Sequence, residues 1–391
     1  MNYLRILICY ADTGGGHKTA AHAVRDAIEE LAAENYPGSI IEVTVESVVE
    51  ETNALNTLFV RLYNFLLRYH QDWMKYYTAF IEAFKPNDSR LGYLFCKPFL
   101  EKLYSRIEPD IIVSVHPMVN HYLALARKDA GRTARTNLVV VLTDPNSHLW
   151  SGWACKEADL TIAPNDLACA RLKKMGVDPA RIQTIGMPIE PVFVHPARVS
   201  RTKVLTDLGL DSRVFTILLS GGWAGGGELI ELYRSLARVT RPAQVVIMCG
   251  NNKDLRAKME EEKKGFPLPT AVIGYCQSFS DLFSAGDLLV TKAGGLTTFE
   301  AVARRLPMAL NLLIEPMPQE AGTIDLLIEA GLAHAVRHKD DLIQIIENLH
   351  PLSDRQTQPL PTEHSLDRVD AIYEIAQTIL DLRLESRKMA A

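Results

Sequence analysis

Three consecutive glycines, Gly14 to Gly16, run directly into His17 and Lys18 within the stretch ADTGGGHKTAAH (Ala11–His22). The apolar run LRILICY precedes it and an alanine-rich stretch follows, which predicts a buried strand, a sharp turn and a helix. Glycines let the chain turn tightly and let another molecule come close to the backbone. The helix start offers unpaired N–H groups and the positive end of a dipole. His17 would stand there as an acid–base group, since imidazole titrates near pH ~6.5. Two commoner motifs fail on spacing. A P-loop has Gly before Lys-Ser/Thr, where His17 precedes Lys18-Thr19. A G-x-G-x-x-G fingerprint counted from Gly14 and Gly16 would need glycine at Thr19. Taken alone, these residues are better read as a plain glycine turn with a solvated histidine.

Four further stretches could do chemistry. LLSGGWAGGG (Leu218–Gly227) is a second glycine-rich strand-to-helix turn, suited to backbone approach to a phosphate or to a plain flexible loop. In VTKAGGLTTFEA (Val290–Ala301) a strand ends at Lys292, and Gly294 and Gly295 make the turn. Thr297 and Thr298 then open a helix that carries Glu300 on its first turn. Such a start suits a diphosphate, with Glu300 on ribose hydroxyls. It also reads as a capping box, with Thr297 at N-cap and Glu300 at N3. EPMPQEAG (Glu315–Gly322) places Gln319 and Glu320 at another helix start, for sugar hydroxyls or as ordinary acidic enrichment. VVVLTDPNSHLW (Val139–Trp150) ends a strand with Asp144, then His148 and Trp150, in a site or an Asp-Pro turn.

The elements that must position these residues alternate along the chain. Strands are predicted at 4–10, 40–46, 110–115, 137–143, 159–163 and 182–185, then 214–220, 243–249, 271–273, 287–291 and 307–312. Helical patterns lie between them, as at 227–238 and 296–305, which implies parallel sheets covered by helices. The series restarts after PVFVHPARVSRTK (Pro191–Lys203), read as a linker, and Ser365–Arg387 reads as one amphipathic helix. The resulting division is 1–197, 198–364 and a C-terminal helix 365–391 that could pack back on the first domain. Ligands in such folds bind beyond the C-terminal strand ends, where all five stretches fall.

Composition narrows the classes. The 391 residues exceed one ordinary core. Net charge is −5, which does not suggest nucleic-acid binding. Six scattered cysteines form no Cys-x-x-Cys pair, so neither a zinc site nor a disulfide framework is indicated and a reducing cytoplasm fits. No apolar run approaches the roughly 20 residues of a membrane span, and Asp12 cuts short any leader pattern. Residues 55–105 hold 13 aromatic side chains, close to half of the total. Leu55, Leu58, Phe59, Leu62, Leu66 and Tyr69 share one helical face, and basic residues outnumber acidic ones, the profile of an interfacial helix or of a core hairpin with a basic edge.

In combination the motifs resemble the monogalactosyldiacylglycerol synthases and the processive diacylglycerol glucosyltransferases of the glycosyltransferase family 28 superfamily. The blocks DTGGGH, VSVHP (Val113–Pro117), the TD…H.W set, IGMPIEPVF (Ile185–Phe193), MCGNN (Met248–Asn252) and TKAGGLTTFEA stand in the family's order. The resemblance implies a GT-B fold: α/β, two facing Rossmann-like doubly wound parallel-sheet domains. It implies an inverting hexosyltransferase moving galactose or glucose from a UDP-sugar to the 3-hydroxyl of 1,2-diacylglycerol. Gly222, Gly294, Gly295 and Thr297 would line the diphosphate, Asn251 and Tyr275 the uracil, Glu300 the ribose, and Gln319 and Glu320 the donor sugar. His17 would be the base, with Asp144 as alternative base or partner. Gly15, Gly16, His116, His148 and Trp150 would meet the acceptor, and the aromatic region would dock on anionic lipid. The implied place is cytoplasmic and peripheral, on the inner face of the cell membrane. No tightly bound cofactor is implied, and without an Asp-x-Asp motif no essential metal is expected in the donor site. Near the sugar the family pattern is Pro-Gly-Gln-Glu with Asn three residues on; this chain has Met317-Pro318-Gln319-Glu320 and Thr323. Competing readings are an undecaprenyl-type acceptor, a sugar-nucleotide epimerase, and a non-catalytic UDP-sugar-binding regulator.

Overall fold

The computed structural model describes residues 2–13, 15–52, 54–69, 73–84, 88–221, 228–276, 279–350, 360–362, 364 and 366–388. They form two compact units: Met1–Phe65 with Trp73–Pro191 and His364–Ala391, and Leu66–Asp72 with Val192–Glu363. Each unit is built on one six-stranded sheet whose pairs are all parallel.

In the first unit the strands are β1 (Asn2–Tyr10), β2 (Ser39–Ser47), β3 (Ile111–Ser114), β4 (Asn137–Val141), β5 (Leu160–Ala163) and β6 (Ile182–Thr184), in the order β2-β1-β3-β4-β5-β6. The central strand β1 pairs with β2 on one side and β3 on the other, with Ile8 in register with both Val45 and Val113. The chain therefore turns away in opposite directions at β1 and β3. That reversal opens a crevice beyond their C-terminal ends. β1 is buried on both faces, with Leu4, Ile6, Leu7, Ile8 and Cys9 fully enclosed, as a central parallel strand requires. Helix Gly16–Asn35 follows directly and lays Ala20, Ala21, Ala23, Val24, Ala27 and Ile28 inward, small side chains that allow close approach. Gly15 caps its start at φ 81°, a left-handed conformation that disfavours any side chain.

The helix Ala371–Lys388 lies against Gly16–Asn35. It buries Ile372, Ile375, Ile379, Leu380 and Leu384, each worth about 1.5–3 kcal/mol on removal from water. Hydrogen bonds to that segment, Tyr373 Oη to Glu30 Oε2 (2.6 Å) and Gln377 Nε2 to Tyr36 Oη (2.8 Å), contribute about 0.5–1.5 kcal/mol each. Apolar burial therefore dominates its attachment. The helix begins at Ala371 rather than at Ser365, because Leu366 to Asp370 form turns that bring Arg368 onto the Thr184 carbonyl (3.1 Å).

In the second unit the strands are β7 (Phe215–Ser220), β8 (Ala243–Met248), β9 (Thr270–Ile273), β10 (Leu288–Thr291), β11 (Met308–Asn311) and β12 (Ala333–Val336), in the order β12-β11-β10-β7-β8-β9. The reversal here falls between β7 and β10. β12 is absent from the sequence-based reading. The stretch Pro191–Lys203 is not a free linker. Phe193 is buried edge-on against Phe283 at 5.7 Å, and Arg304 donates to the carbonyls of Val192 and His195. Helix Arg201–Asp207 is anchored by Arg201, which donates to Asp287 (2.7 Å) and to the carbonyls of Ser212, Val214 and Ala285. A stretch with so many specific bonds belongs to the unit it touches.

The aromatic region forms helices Ala54–Tyr69, Met74–Phe84 and Arg90–Ile107. Val60, Met74, Ile81, Tyr93, Cys96 and Leu100 turn inward. Leu58, Leu62, Phe65, Trp73, Tyr76, Leu91, Leu94 and Phe95 are exposed, an unusual load of large apolar side chains in water. The side chains of Leu55, Phe59 and Tyr69 lie outside the described residues. Among the described residues, no helix is long and apolar enough to cross a membrane.

Candidate active site

The first unit's crevice gathers residues from four segments. Gly15 and Gly16 end the turn after β1 and seat His17 as the second residue of its helix. Val115 and His116 follow β3, and Thr143 and Asp144 follow β4. Trp153 comes from the 3-10 turn Ser151–Trp153. The ring centroids of His17 and His116 are 4.2 Å apart, edge to face, and that of Trp153 is 6.1 Å from His17.

The hydrogen bonds define the state of each ring. His17 Nδ1 lies 2.8 Å from the Val115 carbonyl oxygen, with Thr143 Oγ1 at 3.1 Å. A carbonyl only accepts, so Nδ1 carries the proton and Nε2 is left as the basic nitrogen. His116 is tied at both ends. Its Nδ1 accepts from the Met118 amide (3.1 Å), so its Nε2 donates to Thr13 Oγ1 (2.7 Å). Asp144 Oδ2 accepts from the Trp153 indole Nε1 at 2.7 Å.

Burial shifts these groups toward their neutral forms. It lowers the His17 imidazole below its ordinary value, opposed by the Asp144 charge and the Val115 carbonyl. It raises the Asp144 carboxyl, opposed by His17 and then by the Trp153 indole. His116 is held well below the ordinary imidazole range, by burial first and then by His17. His17 and Asp144 remain partly exposed, whereas His116 is enclosed. The arrangement therefore offers one accessible neutral base, a carboxylate positioned to offset the charge it gains, and a second histidine fixed as wall. The other expected acceptor residues lie on the segment after Asp144. His148 is exposed, and Trp150 packs partly buried on the core.

In the second unit the expected donor residues all follow strand C-terminal ends. Helix Gly295–Ala303 has Gly294 at its N-cap, which makes no side-chain cap hydrogen bond. This overturns the capping box expected at Thr297 and Glu300. β10 stops at Thr291 and the N-cap falls at Gly294, three residues before Thr297, so Glu300 lies in the helix's second turn and is buried. Thr297 is half-buried on the first turn, while Thr298 turns back to the Gly294 and Gly295 carbonyls (3.0 Å each). Asn251 is exposed in the turn after β8, beside Asn252, which caps the next helix through Leu255 N (3.0 Å). Tyr275 is exposed after β9. Gln319 and Glu320 open helix Pro318–Glu329, where Glu320 Oε2 accepts from the Met317 amide at 3.3 Å. Gly222 lies outside the described residues.

Sequence reasoning missed Trp153 and Thr13. Trp153 stands three residues after Trp150 in WSGW, and Thr13 directly precedes the glycines.

Comparison with known proteins bears out the resemblance read from the motifs. Residues 17–189 match the family model described as monogalactosyldiacylglycerol (MGDG) synthase. The chloroplastic monogalactosyldiacylglycerol synthase of Spinacia oleracea is 27% identical over 388 residues, spanning 97% of this chain and 72% of that protein. Monogalactosyldiacylglycerol synthase 1 of Arabidopsis thaliana is 27% identical over 387 residues, with 97% and 71% covered. The chain is thus similar in sequence to monogalactosyldiacylglycerol synthases along 97% of its length. Among solved structures, the UDP-GlcNAc 2-epimerase of Neisseria meningitidis bound to UDP-GlcNAc aligns with TM-score 0.60 at 13% identity, covering 97% of this chain and 100% of that one. MurG of Acinetobacter baumannii aligns with TM-score 0.56 at 12% identity, covering 98% and 99%. Anabaena Alr3699/HepE in complex with UDP-glucose aligns with TM-score 0.51 at 15% identity, covering 99% of each. These likenesses establish the fold alone, the GT-B architecture of two Rossmann-like parallel-sheet domains.

Proposed function

We propose that this protein is a glycosyltransferase that moves a hexose, galactose or glucose, from a UDP-sugar to the 3-hydroxyl of 1,2-diacylglycerol with inversion at the anomeric carbon. The observation that carries the reading is His17: its Nδ1 proton is held on the Val115 carbonyl, which leaves Nε2 as a base at the crevice beyond β1 and β3. The matches to monogalactosyldiacylglycerol synthases along the chain supply the reaction class, and the UDP-glucose complex among the fold neighbours supports the donor class.

A glycerol hydroxyl is a poor nucleophile near neutral pH. His17 Nε2 takes its proton as the oxygen attacks the anomeric carbon and UDP departs from the opposite side. Asp144 offsets the charge that His17 gains. Gly15, Gly16, His116, His148 and Trp150 bound the acceptor. On the donor side the uncapped helix start at Gly294, Gly295 and Thr297, with Gly222, stabilises the diphosphate as charge develops. Glu300 holds the ribose, Asn251 and Tyr275 the uracil, and Gln319 and Glu320 the hexose. The exposed Leu58, Leu62, Trp73, Tyr76, Leu91, Leu94 and Phe95 seat the protein on an anionic membrane, from the cytoplasmic side, where its lipid acceptor resides. No metal takes part in the donor chemistry.

The test is turnover on diacylglycerol in anionic vesicles, with UDP-galactose and UDP-glucose supplied separately and EDTA present. Lipid-soluble product from one donor supports the reading and identifies the sugar. His17→Ala should lower kcat about 10²–10⁴-fold while UDP still binds. Unchanged turnover in that variant would remove His17 from the chemistry. Soluble product from UDP-sugar without lipid would assign the chain to the epimerase reaction instead.

A further inference from the structure

In the first unit, three side chains of different chemistry converge. His121 is the second residue of helix Asn120–Asp129, and Cys155 and Glu157 belong to the segment that follows Trp153. His121 Nδ1 is 4.0 Å from Glu157 Oε2, Cys155 Sγ is 3.8 Å from the same oxygen, and all three donor atoms lie within 4.8 Å of one another. An imidazole, a thiol and a carboxylate form a mixed nitrogen, sulfur and oxygen set of the kind zinc takes. Tetrahedral zinc with bonds of about 2.0–2.3 Å places its ligand atoms about 3.3–3.7 Å apart, so the set needs to close by only a few tenths of an ångström to about 1 Å. Glu157 is exposed and free to make that movement, while Cys155 is enclosed and His121 largely so.

The surroundings already join the same two segments. Asn120 Nδ2 donates to the Gly152 carbonyl (2.9 Å), Cys155 Sγ contacts the Asn120 carbonyl (3.7 Å), and Arg127 Nη2 donates to the Glu157 carbonyl (2.8 Å). Among the described residues, two buried polar atoms in this junction, Asn120 Oδ1 and Arg127 Nε, have no hydrogen-bond partner.

We propose that His121, Cys155 and Glu157 bind one divalent transition-metal ion of the zinc class, clipping the segment that carries Trp153 to helix Asn120–Asp129. The ion replaces the thiol proton, which passes to solvent, and three protein ligands leave a position for water. The site is separate from the donor chemistry, and its test does not depend on turnover.

The full chain, stripped with EDTA and dialysed, is titrated with Co²⁺ and read by the thiolate-to-cobalt charge-transfer absorption. The expected result is one Co²⁺ per chain, displaced by Zn²⁺, with one zinc per chain by elemental analysis. Cys155→Ala should abolish the band. Because Cys155 is enclosed, the exposed Glu157→Gln provides a second variant that keeps the fold. It should weaken binding at least about tenfold, as loss of even an outer partner of a metal ligand does. Absence of stoichiometric binding would overturn the proposal. So would a band that survives Cys155→Ala, since Cys276, the one cysteine not buried, would then be the ligand. Unchanged affinity in both Glu157→Gln and His121→Ala would overturn it as well.

Discussion

The Trp153 indole is the hydrogen-bond donor on Asp144, at 2.7 Å, and Trp153→Phe deletes that donor while keeping an aromatic ring in the enclosed site. A hydrogen bond to a charged group is worth about 1.5–3 kcal/mol. Its loss should therefore raise the Asp144 carboxyl further, beyond the rise that burial already imposes. Less of Asp144 is then ionised where His17 titrates. The Asp144 charge is the largest influence holding the His17 imidazole up, so the His17 midpoint should fall. The assay is an NMR titration of the His17 ring in wild type, Trp153→Phe, Asp144→Asn and the double variant. Asp144→Asn should lower the His17 midpoint at least as far as Trp153→Phe does. The double variant should match Asp144→Asn alone, because the indole acts through the carboxylate. If Trp153→Phe shifts His17 equally with and without Asp144, the effect is one of packing and the argument for the chain Trp153–Asp144–His17 fails.

Two other outcomes follow from the geometry. A Cβ added at Gly186 would lie 2.3 Å from the Ala371 Cβ, at φ 151°, so Gly186→Ala should cost about 2–4 kcal/mol and lower Tm, with the C-terminal helix becoming the first site of protease cleavage; an unchanged Tm would refute that close packing. Stability should also fall with acid below about pH 6.5: His17 and His116 have folded values depressed below that of the unfolded chain, so their contribution is complete above about 6.5 and is lost as pH falls through the folded values. For the enclosed His116 the slope in that window approaches about 1.4 kcal/mol per pH unit, and denaturant unfolding of His116→Gln between pH 5 and 7 should show a shallower dependence.

Eleven of the twelve strands were legible because fully buried parallel strands read as short runs of Val, Ile and Leu bounded by turn residues. β12, AHAV, escaped because it is short, follows a helix directly and leaves His334 exposed, so neither an apolar run nor an alternation marks it. The helix start at Gly294 was misplaced because Thr297 with Glu300 satisfies the capping-box spacing, and only the stop of β10 at Thr291 excludes it. At the candidate site, strand-end placement brought out His17 and Asp144, and the family resemblance brought out His116. The state of His17 was not legible. Its Nδ1 is fixed by a backbone carbonyl 98 positions away, and a backbone atom leaves no mark in residue type. The same holds for His121 with Cys155 and Glu157, more than thirty positions apart and without the paired-cysteine spacing that signals zinc.

The two units place the same device beside the reversal of their sheets, on the first strand in one and on the crossover strand in the other, and the difference between the two is chemical. Each sheet reverses beside a strand that leads into a glycine-started helix, Gly15–Gly16 after β1 and Gly294–Gly295 after β10. Neither helix has a side-chain cap or an acidic residue in its first turn, so both present N–H groups and a positive dipole end. At the second copy the first turn adds a hydroxyl, Thr297, and no titratable group, which suits an anion that must be held and released. At the first copy it adds His17, with Asp144 and Trp153 behind it, and a fixed phosphate there would raise the imidazole and cancel it as a base. A helix start that must carry a neutral base is better matched to an uncharged hydroxyl. That contrast supports the proposal that the acceptor is held by the first unit and the diphosphate by the second.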